Sequence, residues 1–252
     1  MRTRRLPRED DATLVEHLEE LRRRIFVTVA AVAVTSAAAF TVHGRILDLL
    51  TRALPAEHRK LATFGVAEPF SVSLGVSVYA GLILALPVLL WQAWVFLAPA
   101  LDAKAERRIL GLTAFGMVLA AAGLAFGYDV LLPRAVGFLT TYDTGQFRIL
   151  VQASGYFSFV VAILVGVVCV FETPLVILGL VNLGVLSSRA LSRNRRKGYF
   201  IVEAVALALP GPDPVTTALE LLPMWLLFEG SIWLAVLTER RSARLAIAGA
   251  PA

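Results

Sequence analysis

Four glutamates of this chain fall inside stretches that are otherwise apolar: Glu172, Glu203, Glu220 and Glu229. An ionised carboxylate in hydrocarbon costs about 3 kcal/mol or more unless it is paired, protonated or turned toward water, so such residues mark binding, proton-carrying or assembly sites by default. Glu172 is the sharpest of them, because Thr173 and Pro174 follow it. A proline donates no N–H and leaves a carbonyl free one turn back, which kinks a helix and opens a place for water. A protonated glutamate serving that kink, or pairing with a neighbouring helix, fits the same residues. Glu229 stands close to Glu239 and Arg241, where a helix end meets water.

Other chemistry is missing. His17, His43 and His58 are the only histidines and Cys169 the only cysteine, so neither an HExxH motif nor a His/Cys metal cluster can be assembled. Lys60, Lys104 and Lys197 do not follow a glycine, which excludes a P-loop, and the serines sit in no GxSxG setting. No catalytic residue, metal or cofactor is expected, and the chain is not read as an enzyme.

The elements that must carry these residues are membrane helices. The chain is 58% hydrophobic and 17% charged, with mean hydropathy +0.73, against roughly half and a quarter in soluble proteins. A bilayer core about 30 Å thick is crossed by roughly 20 apolar residues in a helix that satisfies its own backbone. The pattern predicts spans over 25–42, 70–97, 109–132, 156–183, 199–209 and 215–237. The expected fold is all-α, a polytopic membrane protein of six transmembrane helices with the fifth and sixth short. The fifth run, at about eleven residues, reaches only about 17 Å at 1.5 Å per residue. Pro210, Gly211, Pro212, Asp213 and Pro214 then make a tight hairpin.

Arg45, Arg52, Arg59, Lys60, Arg134 and Arg148 fall in loops on one side, while the other 18 of the 24 Lys and Arg residues fall with the two termini. By the positive-inside rule both termini are cytoplasmic. The net charge of +5 reflects this orientation, and no nucleic-acid partner is expected. Leu14, His17, Leu18 and Leu21 recur at helical spacing among acidic and basic residues, which predicts an amphipathic helix at the cytoplasmic interface running into the first span. Arg4-Arg5-Leu6 and Arg23-Arg24-Ile25-Phe26 look like export signals, but acidic residues follow the first and five more apolar runs follow the second, so no cleavage is expected. Gly123 and Gly127 form a GxxxG pair able to seat a neighbouring helix. The organisation expected is one membrane domain over 1–252: an N-terminal segment 1–24, a bundle over 25–237 and a tail over 238–252.

Several motifs, among them His17-Leu18-Glu19-Glu20-Leu21-Arg22, Phe171-Glu172-Thr173-Pro174 and Leu227-Phe228-Glu229, together resemble those of the TatC family of the twin-arginine protein translocase. His17-Leu18-Glu19-Glu20-Leu21-Arg22 is similar to its N-terminal motif, and Trp94 to Leu101, followed by Glu106-Arg107-Arg108, to its first cytoplasmic loop. Phe171-Glu172-Thr173-Pro174 is similar to its fourth-helix F-E-x-P, Pro212-Asp213 to its last periplasmic turn, and Pro223 with Leu227-Phe228-Glu229 to its sixth helix. The motifs are colinear over most of the chain. Departures are Ala53 where the family usually has proline, about one extra residue before Glu106, a fifth helix about two residues short, and Glu203 where a small or apolar residue is usual.

The resemblance implies a receptor in the cytoplasmic membrane of a prokaryote, binding Arg-Arg signal peptides of folded proteins and assembling, also with copies of itself, with single-span TatA- and TatB-type subunits. Transport would be driven by the proton-motive force. Signal binding would involve Glu20, Arg22, Phe96, Glu106 and Arg107, with Glu172, Pro174, Glu203 and Glu229 as intramembrane functional residues. An arginine pair calls for planar carboxylates able to accept bidentate hydrogen bonds, which a lysine would satisfy less well. The competing reading is a proton-coupled secondary transporter with Glu172 as proton carrier. Topology is open to direct test: a cysteine placed at Thr144 should react with impermeant reagent only from the side opposite the termini, and labelling from the cytoplasmic side alone would overturn the orientation.

Overall fold

The structure, a computed structural model, describes residues 9–97, 105–142, 144–146, 149–208 and 214–248, with side chains placed for all but 9–17, 97, 105–108, 215 and 241–248. Its apolar runs form helices, which keep backbone polar groups paired without water. α1 (Glu9–Thr41) joins the amphipathic start and the first apolar run in one rod. α2 (His43–Thr51) and a 3-10 turn (Ala56–His58) follow, then α3 (Glu68–Leu97). α4 (Ala105–Ala125) passes through a π-helical stretch, Phe126–Leu131, into α5 (Leu132–Thr141). Pro133 cannot donate to the carbonyl of Asp129, and a locally wider turn accommodates the loss. The third crossing therefore continues to Thr141, beyond its predicted end at 132.

α6 (Ala153–Phe171) and α7 (Thr173–Asn182) are one crossing broken at Glu172. α7 ends at Gly184, whose φ of 72° suits a residue without a Cβ. The Gly184 N–H donates to Val181 O and the Val185 N–H to Leu180 O, both at 3.0 Å, a Schellman stop. α8 (Ser188–Arg193), α9 (Arg195–Ala208) and α10 (Pro214–Ala248) complete the order.

Five segments among the described residues are long and apolar enough to cross a membrane: Leu18–Thr41, Glu68–Phe96, Ile109–Thr141, Ala153–Asn182 and Thr216–Arg240. α9, with 14 residues, is not one of them. Its polar first turn, Arg195 to Lys197, lengthens the helix without lengthening the apolar run. The sixth helix departs from the expected short element: α10 has 35 residues, because its helical path continues past Leu237 to Ala248. The predicted hairpin, including Pro212 and Asp213, lies outside the described residues apart from Pro214 at the start of α10.

Helix pairs approach through small residues. A Cβ on Gly81 would lie 2.5 Å from Ser36 Cα and N, so α1 and α3 touch backbone to backbone. Thr35 Oγ1 donates to Gly81 O at 2.7 Å across the same contact. Along α4 and into the π-helical stretch that continues it, Thr113, Gly116, Ala120, Gly123 and Gly127 follow one another at helical spacing. Gly123 lies against Phe171, and Gly127 against Leu164 and Val167, so the GxxxG pair seats α6 of the same chain. One core gathers Leu50 and Leu54 with Leu131, Leu132, Val160 and Ile163, and another gathers Val170, Val202, Phe228 and Ile232.

The α1–α3 contact makes a prediction. Gly81→Ala places a methyl against backbone that can yield only by separating the helices, and overpacking of this kind costs about 1 to 3 kcal/mol. Thermal unfolding in detergent should show a midpoint lowered by several degrees. Gly137→Ala, with nothing within 4 Å of its added Cβ, should leave it unchanged or slightly raised. Equal midpoints for the two variants would contradict the close contact.

Candidate functional site

α1 and α3 run antiparallel, and toward the end of the bundle at Leu97 they enclose a groove. Leu21, Arg24, Ile25 and Thr28 face it from α1 at helical spacing, and Leu89, Gln92, Ala93 and Phe96 from α3. Its volume is about 330 Å³. Glu20 stands at its mouth, one turn before Arg24. Arg24 Nε donates to Glu20 Oε1 at 3.0 Å, and Arg24 Nη2 donates to the same oxygen. Arg24 Nη1 donates to Gln92 Oε1 at 3.0 Å, tying α1 to α3. The structure thus brings Glu20 and Phe96 to one groove.

Arg22 is not part of that groove. Two residues along a helix point nearly opposite ways, and the Arg22 guanidinium is exposed, 5.7 Å from the Phe26 ring centroid. Glu106 and Arg107 occupy the first turn of α4, and their side chains lie outside the described residues, as do Pro212 and Asp213 altogether. Arg24 and Gln92 were not singled out from the sequence. The i,i+4 spacing of Glu20 and Arg24 was the available signal for the first, and a lone glutamine in an apolar run for the second.

Glu172 occupies a second polar position, in the interior. It caps both halves of the broken crossing: its N–H donates to Val168 O at 3.2 Å, and its carbonyl accepts from Leu175 N at 2.9 Å and Val176 N at 3.1 Å. Pro174, in the first turn of α7, requires no donation there. The side chain is 8% exposed and turns onto α4, where a Cβ on Gly116 would lie 3.1 Å from its Oε2. Both carboxylate oxygens, and Oγ1 of Thr113 one turn from Gly116, are buried without a hydrogen-bond partner among the described residues. Leu175 and Leu90 pack at Gly116 beside the carboxylate, and Trp94, in one cluster with Leu175, lies against Gly179.

Two other acids, Glu229 and Glu239, have evident structural work. Glu229 accepts from Tyr199 Oη at 2.6 Å and lies 3.5 Å from an Arg195 nitrogen, fastening the start of α9 to α10. Gly198 lets the ring of Phe228 fill the space between those helices. Glu239 accepts from Ser188 N at 2.7 Å and from Ser188 Oγ, holding α8 to α10. Glu203 is exposed on α9, among Phe200, Ile201, Val205 and Leu207. Glu220 is buried on α10 beside Phe171 and Phe126.

Glu68, unremarked in the sequence, organises the opposite end. It accepts from Phe64 N at 2.7 Å, Gly65 N at 3.2 Å, Gln152 Nε2 at 3.1 Å and Ser154 N at 3.1 Å. It thereby joins the turn before α3 to the start of α6, next to the Ala62–Gln152 bridge. Tyr128 and Tyr156 donate to the carbonyls of Leu49 and Leu50, satisfying the end of α2.

Long apolar helices, a broken crossing with a buried glutamate, and a groove with a carboxylate beside it at one end define a polytopic helical membrane protein. The family model for the Sec-independent protein translocase protein (TatC) matches residues 16–223, and the chain belongs to the TatC family. It is 36% identical over 232 residues to the Bacillus subtilis (strain 168) Sec-independent protein translocase protein TatCd, covering 92% of this chain and 94% of that one. To the chloroplastic TATC of Arabidopsis thaliana it is 36% identical over 241 residues, covering 95% and 71%. A crystal structure of the twin-arginine translocase receptor TatC superposes with a TM-score of 0.74 at 29% identity, covering 88% of this chain and 98% of that one.

The unpaired carboxyl of Glu172 leads to a stability prediction. A buried polar group without partners costs about 1 to 3 kcal/mol, so Glu172→Leu, facing Leu90 and Leu175 across Gly116, should unfold at the wild-type temperature or above it. A fall of several degrees in the same thermal measurement would show the carboxyl to be a structural element.

Proposed function

We propose that the chain is the receptor and core subunit of a twin-arginine translocase, in the cytoplasmic membrane of a prokaryote with both termini inside. It binds the Arg-Arg signal peptides of folded proteins and works without a cofactor, driven by the proton-motive force. The observation that carries the reading is the mouth of the α1–α3 groove, where Glu20 accepts two donors from a single guanidinium beside an apolar channel ending at Phe96. That arrangement suits an arginine followed by an apolar residue. Glu106, on the first turn of α4, supplies the second carboxylate, and Arg107 either pairs with it in the empty receptor or sets topology.

The short α9 is the docking wall for single-span TatA- and TatB-type subunits. Its exposed face carries Ile201 and Val205 around Glu203, a polar contact for a partner helix. Glu172 serves transport through its position beside α4, and a Glu172→Leu protein that folds normally but exports poorly separates that role from stability. The proton-coupled solute transporter is the weaker reading, since relatives across most of the chain carry the name of protein translocase components.

Binding to a synthetic signal peptide tests the reading. Hydrogen bonds to charged groups contribute about 1.5 to 3 kcal/mol, taken at the low end for a wet interface. Glu20→Ala and Glu106→Ala should each weaken binding about tenfold. The double variant should lose about a hundredfold if the sites act independently. A twin-lysine peptide should bind the native receptor more weakly than a twin-arginine one. Wild-type affinity in the double variant, or equal affinity for the two peptides, would end the claim.

A further inference from the structure

Arg24 already occupies Glu20 with the chemical group that the proposed ligand would bring. Nε and Nη2 face one carboxylate oxygen, and Nη1 reaches Gln92 on α3, so all three guanidinium nitrogens are engaged. The side chain is only 18% exposed, and Glu20 33%. The guanidinium therefore lies across the mouth of the groove, between Leu21 and Ile25 on one wall and Leu89, Ala93 and Phe96 on the other. The geometry points to Arg24 as an internal competitor for the signal peptide: the receptor is closed by its own arginine, and a ligand arginine must displace it from Glu20 and Gln92. This rests on the reading of Glu20 as a receptor carboxylate.

The exchange conserves bonding. One guanidinium leaves the carboxylate as another arrives, and the released Arg24, one residue before the predicted start of the first apolar run at 25, regains water. A ligand without a guanidinium gains less from the displacement, because an ammonium offers a point charge in place of a planar fork. The closed state excludes every ligand equally, however, so it lowers all apparent affinities by the same factor, the fraction of receptor that is open. Competition by Arg24 therefore sets affinity and leaves the arginine-to-lysine ratio where Glu20 puts it. A positioning role for Arg24, holding Glu20 in a receptive rotamer, would have the opposite sign.

The experiment measures binding of a synthetic peptide with two consecutive arginines and an apolar run, and of its twin-lysine counterpart, to the full chain in detergent or nanodiscs. Arg24→Met should bind both peptides more tightly by about three- to tenfold, the range open to a partly exposed ion pair with one further hydrogen bond, with their ratio unchanged. Arg24→Lys keeps the charge but loses the fork and should show a smaller gain, as should Gln92→Leu, which unties the guanidinium from α3. These two variants keep the test available if Arg24→Met folds poorly. Unchanged or weaker binding in the Arg24 variants, while Glu20→Ala still loses affinity, overturns the competitor and leaves the Glu20 reading in place. A gain that appears only in Arg24→Met and disappears at high salt is relief of charge repulsion and overturns it equally. Equal binding by Arg24→Met and by an Arg24→Met/Glu20→Ala double variant, both free of the closed state, removes the receptor reading itself, independently of Arg24.

Discussion

Helices in a bilayer gain nothing by hiding apolar side chains from one another, because lipid tails are as apolar as leucine. What holds a bundle is the distance to which backbones can approach and the polar groups that meet when they do. Here that distance is set at a few positions. Gly81 admits the backbone of Ser36, Gly116 admits Leu90, Leu175 and Glu172, Gly123 admits Phe171, and Gly198 admits Phe228. Each lies where two helices meet: Gly81 joins α3 to α1, Gly116 joins α4 to α3 and α7, Gly123 joins α4 to α6, and Gly198 joins α9 to α10. The lipid-facing surfaces are left apolar: Phe26, Val27 and Val34 of α1 are all exposed.

The carboxylates sort by what this packing offers them. Glu68, Glu229 and Glu239 each meet donors from another element: Glu68 and Glu239 join segments that the small-residue contacts do not reach, and Glu229 reinforces the α9–α10 contact at Gly198. Glu172 meets no donor among the described residues although it is buried. Glu20 meets a guanidinium at a rim where water competes. A buried acid without partners is costly to keep, which is why Glu172 stands apart from the acids that tie helices together. An acid engaged by a displaceable side chain, as Glu20 is, differs again: its pairing can be exchanged for an equivalent one.

Hydropathy alone located the crossings because the bilayer imposes length and apolarity directly on sequence. Runs of the predicted extent became α1, α3 and the α6–α7 pair with small changes at their ends. The lengthened third crossing was harder to see, since Pro133 reads as a terminator and only the π-helical turn before it carries the helix past. The reach of α10 was missed for a related reason: polar residues after Leu237 end an apolar run without ending a helix. At the candidate site, residue type and depth singled out Glu172 and the family resemblance pointed to Glu20 and Phe96, whereas Arg24, Gln92 and Glu68 depend on which helix faces which. Glu68 looked like an ordinary first-turn acid, favourable at any helix start, and its four donors come from segments up to 86 positions away.

The two polar sites share one stretch of α3. Leu89, Gln92, Ala93 and Phe96 turn toward α1 and line the groove. Leu90 and Trp94, about a third of a turn round the same helix, turn toward α4 and α7, where Leu90 meets Gly116 beside Glu172 and Trp94 meets Gly179. A helix segment packed on both faces moves as a unit, because close-packed side chains transmit displacement instead of absorbing it. Whatever fills the groove and pushes on Gln92 or Phe96 therefore presses the opposite face onto the wall that contains Glu172. A substitution at Trp94 acts on both sites for the same reason. Effects of changes at Phe96 and at Glu172 should accordingly be compared as a pair, since residues packed against one shared element depart from additivity.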